Sequence, residues 1–298
     1  MKSLFWAVLL SLLAGSAHAD LRIFATVPEW AALAKEIGGD HVRVFSATTA
    51  MQDPHRIEAK PSLLAQARQA NLLIAVGAEL EVGWLPLVLR DSGNAAIQPG
   101  QAGYFEAAQY VQRLEVPSQV DRVHGDVHAA GNPHIHLDPR NILKVAEALQ
   151  ARMLALDPGA AEAYRKNYRN FAERWQQAMT RWEKTAASLK GVAVVAHHAS
   201  FVYLDQWLGL REVGMLEPKP GIEPTSSHLT ALLGRLQSQS VRMVLRAPFQ
   251  QEGPSAWLAG KSGIQAVLLP YTVGGTPGAG DLFGLFDDTL VRLQKGVQ

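Results

Sequence analysis

Residues 157–191 read DPGAAEAYRKNYRNFAERWQQAMTRWEKTAASLKG, and the fold turns on this stretch. Asp157-Pro158 is a helix-start signal. Tyr164, Tyr168, Phe171, Trp175, Met179 and Trp182 then recur at steps of four, three, four, four and three. That spacing puts them on one face of a helix. Neither Gly nor Pro interrupts the run between Gly159 and Gly191. At 1.5 Å per residue such a helix is roughly 45–50 Å long. It reads as a strut that connects or braces two lobes, or else as an ordinary long core helix. The stripe is too short and too aromatic for a coiled-coil seam.

Outward from the strut, both halves alternate strand and helix. On the N-terminal side, residues 21–26, 42–45 and 72–76 read as strands, and residues 29–37 and 61–70 as helices. On the C-terminal side, residues 192–196, 241–245 and 266–269 read as strands. Leu229, Leu232, Leu233 and Leu236 mark one helix, and residues 282–295 form the last. Alternation of this kind predicts parallel sheets flanked by helices. The expected class is α/β, with two lobes, each a mainly parallel sheet, joined by one long rigid helix. The expected boundaries are 20–156 for the first lobe, 157–190 for the helix and 191–298 for the second lobe. Residues 92–103 and 119–133 are Gly/Pro/polar connections, 217–225 is a Pro-rich loop, and 274–280 is a Gly-rich loop ending at Asp281.

Composition narrows the function. The chain opens with Lys2, an apolar run over residues 4–13 and then Ala17-His18-Ala19. This predicts a secretory signal peptide over residues 1–19, cleaved on export. The run falls short of the ~20 residues that span a bilayer, and no later run is longer. Removing the peptide takes one basic residue and no acidic one, leaving 27 of each sign from 28 and 27. A nucleic-acid binder would carry a basic excess. The chain has no Cys, which removes disulfides, thiolate metal sites, Cys nucleophiles and a lipid anchor at the cleavage site. It also suits an oxidising compartment.

Four groups stand where a sheet-based fold presents side chains to a cleft. His55 follows Asp53-Pro54 in a loop. His134 lies in Asn132-Pro133-His134-Ile135-His136-Leu137-Asp138-Pro139, just ahead of a helix with Asp138 as N-cap and Pro139 at its first position. His198 follows the strand at 192–196, and Asp281 ends the Gly-rich loop. Three imidazoles and one carboxylate complete a tetrahedral set for a borderline cation such as zinc. The spacings are long and match no local zinc motif.

The order of motifs resembles the periplasmic metal-binding proteins of ABC importers, the zinc/manganese solute-binding family of cluster A-I. The similar pieces are Asp53-Pro54-His55 with Lys60-Pro61-Ser62, and Ala75-Val76-Gly77-Ala78-Glu79-Leu80-Glu81. Asn132-Pro133-His134 with Leu137-Asp138-Pro139, and His198-Ala199-Ser200-Phe201-Val202-Tyr203-Leu204, come next. Residues 217–225, Gly275-Thr276 and Asp281-Leu282-Phe283 complete the series. The resemblance implies two lobes around a rigid helix, a Zn(II) ion in the cleft as cargo, and ligands on His55, His134, His198 and Asp281. It implies delivery to the membrane permease of a zinc importer by a monomer that is not an enzyme. Two features depart from the pattern. His136 stands where an aromatic is usual, and the long metal-rich loop is reduced to His124, Asp126 and His128. Some zinc members of this short form receive metal from a periplasmic metallochaperone, so such a partner is expected as an option.

The remaining histidines have blander readings. His197 competes with His198 for the third ligand position, and alignment of Phe201, Tyr203, Gly209 and Leu210 favours His198. His197 is then expected to pack or to make an outer hydrogen bond. His136 reads as aromatic filler beneath the site or as an auxiliary ligand. His124 and His128 read as solvated loop residues or weak metal-capture groups. His41 and His228 read as structural or surface residues, and His18 leaves with the signal peptide. Asp281 has a helix cap as its competing role, and Glu58, Glu79 and Glu81 are not expected to be ligands. A zinc hydrolase with an open water position is the alternative function. It lacks a His pair with an adjacent Glu, and Asp281 would close the fourth position. An adhesin would show an anchor or repeats.

Overall fold

The computed structural model describes residues 20–117 and 128–298. The expected signal peptide and His124 lie outside the described residues. The first sheet has the order β2-β1-β3-β4, from β1 (Leu21–Ala25), β2 (Val42–Ser46), β3 (Leu72–Ala75) and β4 (Tyr104–Glu106), all parallel. The second repeats the plan as β6-β5-β7-β8, from β5 (Ala193–Ala196), β6 (Arg211–Met215), β7 (Val241–Arg246) and β8 (Gln265–Leu268), again all parallel.

Strand periodicity sorts the apolar residues into layers. In the first sheet, Ile23, Ala25, Leu72 and Ile74 face inward, and Phe24, Leu73 and Ala75 face outward. In the second, Val194, Ala196, Met243 and Leu245 face inward, and Val195 and Val244 outward. The outer layers are separate. They are covered by α2 (Pro61–Gln69) and α3 (Leu85–Ser92) on one lobe, and by α7 (Ser226–Leu236) and α8 (Glu252–Ser262) on the other. The inner layers are not separate. One continuous apolar cluster runs from Ile23 and Trp30 through Trp175 and Trp182 to Phe286 and Leu293.

The long helix joins them. α5 (Ala161–Ala186) packs on α1 (Pro28–Gly38) and α4 (Pro139–Leu156) of the first lobe and on α9 (Leu282–Val297) of the second. Its buried residues are Tyr164, Phe171, Trp175, Ala178, Trp182 and Ala186, while Tyr168 and Met179 are half-buried. Short 3-10 turns at Pro158–Ala160 and Ala187–Leu189 flank it, so its α-helical part is shorter than the sequence pattern suggests. Asp157 accepts a hydrogen bond from the Tyr164 hydroxyl at 2.6 Å and does not cap the helix with its side chain. The two tryptophans reach opposite lobes. Trp175 donates to the Pro139 carbonyl at 2.8 Å, and Trp182 donates to Asp287 at 2.6 Å. No helix among the described residues is long and apolar enough to cross a membrane.

A shared core has a thermodynamic signature. The two lobes should unfold in one cooperative transition, and Trp175→Ala should destabilise both together by about 3–5 kcal/mol. Denaturant titration followed by circular dichroism and tryptophan fluorescence tests this. Two resolved transitions would contradict it.

Candidate metal centre

Among the described residues, His55, His134 and His198 form a group whose candidate donor atoms all lie within 4.8 Å of one another. Their ring centroids stand 5.3 Å (His55–His134), 5.6 Å (His55–His198) and 5.6 Å (His134–His198) apart. The rings are tilted by 73–79°, so they meet edge to face around a common centre.

Each ring is aimed by an oxygen at its Nδ1. Asp53 Oδ1 lies 2.7 Å from His55 Nδ1 and also accepts from the His55 backbone N–H at 3.0 Å. Pro54 in between is fixed by the buried Trp84, whose indole donates to its carbonyl at 2.9 Å. The Tyr271 hydroxyl lies 2.7 Å from His134 Nδ1. Glu217 Oε2 lies 2.7 Å from His198 Nδ1 and accepts from the Gly221 N–H at 2.8 Å. With Nδ1 engaged on every ring, Nε2 is the nitrogen free for a cation. The Nε2 of His55 is buried and has no hydrogen-bond partner.

Local chemistry explains how the three arrive. His198 follows the C-terminal end of β5, where an open parallel sheet presents its ligands. Asn132 sets His134: its Oδ1 accepts from the His134 N–H at 3.0 Å, and its Nδ2 donates to the Ala199 carbonyl at 2.8 Å. The loop carrying His134 is thereby tied to the loop carrying His198. α4 begins as expected, with Asp138 accepting from the Arg140 N–H and Pro139 in the first turn.

Burial first, then the neighbouring His55 and His198, holds His134 well below the usual histidine range. It is therefore a neutral imidazole with an available lone pair. Burial alone would raise Asp53, but its hydrogen bond to His55 and the His55 charge hold it below the usual carboxylate range. Tyr271 is pushed far up by burial and the nearby acids, so its phenol keeps its proton.

The other expected residues sit elsewhere. Asp281 is exposed, and its Oδ1 accepts from the Gly284 N–H at 2.7 Å as the N-cap of α9. It is not in the group of three. His197 is also outside the group, and its Nδ1 is buried without a partner. Burial pulls its pKa down. His136 is fully buried, with Nδ1 3.2 Å from Glu29 Oε1 and Nε2 2.7 Å from the Tyr271 carbonyl. The Thr272 hydroxyl donates to Glu29 Oε2 at 2.5 Å, so this cluster bridges the lobes. His128 is half-buried and stacks on His55, in place of the solvated position expected for it. His41 lies edge-on to Tyr164, and His228 Nε2 is 3.0 Å from the Met215 carbonyl. Glu81 is buried and raised to about 7 by desolvation, and it accepts from Thr26, Val76 and Gly77 rather than facing the histidines.

Three contributors carry no role in the sequence pattern. Asp53, two residues before His55, has the one local signal, that of an Asx turn onto its own loop. Glu217 and Tyr271 had no local signal, being 19 and 137 residues from the rings they hold.

The family model described as ZnuA, zinc-uptake complex component A periplasmic, matches residues 23–296. Relatives include the manganese ABC transporter substrate-binding lipoprotein PsaA of Streptococcus pneumoniae. It is 24% identical over 286 residues, covering 91% of this chain and 88% of the relative. The high-affinity zinc uptake system protein ZnuA of Bacillus subtilis is 23% identical over 221 residues, covering 73% of this chain and 67% of the relative. A crystal structure of ZnuA has the same fold, with TM-score 0.75 at 22% identity over 93% of this chain and 97% of that one.

The geometry separates backing groups from caps. Tyr271→Phe and Glu217→Gln should each weaken metal binding by roughly 10–100-fold, as outer partners of ligating histidines do. Asp281→Ala should cost about 1 kcal/mol of stability, the usual loss for an N-cap, and leave metal affinity unchanged. Chelator competition and denaturant unfolding on the three variants decide this. A large affinity loss in Asp281→Ala would show that residue acting as a ligand beside the three histidines.

Proposed function

The chain belongs to the zinc-uptake complex component A family, and from that premise we propose that it captures Zn(II) and delivers it to the membrane permease of an ABC importer. The ion is cargo, held by His55, His134 and His198. One observation carries the reading: three imidazoles converge within 4.8 Å, each with Nδ1 engaged by an oxygen. The Asp53 and Glu217 carboxylates accept from Nδ1 of His55 and His198, which leaves the lone pair of those rings on Nε2. Export to the periplasm, action as a monomer and loading by a metallochaperone belong to the same proposal.

Zinc is favoured over manganese on ligand chemistry. Imidazole suits zinc, manganese sites prefer oxygen, and the general order of first-row metals also places zinc above manganese. Relatives named for each metal exist, so the donor set of this chain carries the distinction. Competition titrations should show far tighter zinc than manganese binding. His198→Glu, which exchanges a nitrogen for an oxygen, should narrow that gap by lowering zinc affinity. Equal affinity for the two metals in the wild type would end the zinc reading.

Acid should release the metal, because a coordinating imidazole must be neutral and histidines ordinarily protonate near about pH 6.5. Burial keeps His134 deprotonated well below that range. As pH falls it takes up its proton later than an ordinary histidine would. Loss of affinity near about pH 6.5 should therefore be coupled to fewer than three protons. The slope of log affinity against pH measures the number. A slope of three near that pH would contradict the lowered pKa of His134.

A further inference from the structure

Two of the three histidine loops are tied to each other across the cleft. Arg56, next to His55 in the first lobe, donates from Nη2 to the carbonyl of Gly221 in the second lobe at 2.9 Å. The two residues are 165 positions apart in the chain. Both line a cavity of about 250 Å³ that also has His55, His198 and Glu217 on its wall.

Each end of this tie is anchored beside a ring. The Arg56 N–H donates to the Asp53 carbonyl at 3.1 Å, closing a turn with Pro54 at its second position. Asp53 also holds His55 Nδ1, so the turn and the ring share one residue. At the far end, Pro220 and Gly221 are the central residues of a turn closed by the Ile222 N–H on the Lys219 carbonyl at 3.0 Å. Gly221 has φ +74°, the left-handed conformation that a type II turn needs at its third position and that favours glycine. Its N–H donates to Glu217 Oε2 at 2.8 Å, the same oxygen that lies 2.7 Å from His198 Nδ1. A continuous path therefore runs from His198 through Glu217, Gly221 and Arg56 to the turn that carries His55.

We propose that Arg56 is a positioning residue that holds the His55 and His198 loops together and so sets how long the bound ion stays. The inference rests on the zinc-capture reading above and adds a rate-setting residue to it. Arg56 acts on the ion in two opposed ways. Its charge repels a dication and by itself would speed release. Its hydrogen bond keeps the two loops from parting and slows release. The guanidinium is exposed, where water weakens its repulsion, so the hydrogen bond prevails.

Stopped-flow release of zinc from the loaded full-length protein into a chelator tests the proposal. Arg56→Ala should release zinc roughly three to ten times faster than the wild type, the worth of one hydrogen bond. Arg56→Lys keeps a cationic donor and should restore most of the slow rate. The metal-free unfolding midpoint should not move in either variant, because the side chain is exposed. Faster release is then not a loss of fold. Hydrogen exchange on the metal-free protein reads the tie without zinc: the amides of residues 217–222 should exchange faster in Arg56→Ala, Gly221 foremost. Unaltered exchange there, or release that is unaltered or slower, would overturn the proposal and leave the zinc reading intact. A wild type that holds no zinc would overturn both.

Discussion

A carboxyl group and an imidazole meet at 3.2 Å where neither reaches solvent: Glu29 from α1 and His136 from the loop before α4. Thr272 of the second lobe donates to the same carboxyl group, and His136 holds the Tyr271 carbonyl. Tyr271 in turn holds His134. The bonds from Thr272 to Glu29 and between His136 and the Tyr271 carbonyl cross from one lobe to the other, and a buried polar group left without its partner costs about 1–3 kcal/mol. They tie the lobes to each other at the floor of the metal centre. The tryptophan-rich face of α5 does the same with apolar contacts. Ligands distant in the chain stay in register because the lobes share these two fastenings.

The parts of the fold legible in the sequence are those where burial is two-sided and continuous. β1, β3, β5 and β7 are the central strands; β3 and β5 are apolar throughout, and β1 and β7 carry apolar runs on both faces after Arg22 and Arg242. The stripe of α5 was legible for the same reason, since its aromatic spacing has no competing period. β4 has only three residues, and β6 (Arg211–Met215) is an edge strand with an exposed Arg and a Gly. α6 (Val202–Leu208) has seven residues, α3 begins on a proline-containing turn, and α8 carries Gly and Pro within its first turns. None of these supplies enough periodicity to outweigh noise.

The centre divides along the same line. Histidines at loop ends and strand ends were visible because their positions in an α/β pattern imply a cleft. Asp281 is less easily sorted. An Asp opening a helix after a glycine loop has one appearance as ligand and as N-cap, and its Oδ1 accepts from the Gly284 N–H as the cap of α9. His128 shows the converse. Its surroundings in sequence are small and polar, and only the turn at Gly131 places it against His55.

The three histidines differ in depth. His134 is 1% exposed, whereas the side chains of His198 and His55 are 11% and 14% exposed. His134 rests on the interlobe floor, while the other two ride on loops at the surface of the cleft. Approach to the centre then has a direction: a solute coming through the mouth meets the His198 and His55 rings before it meets His134.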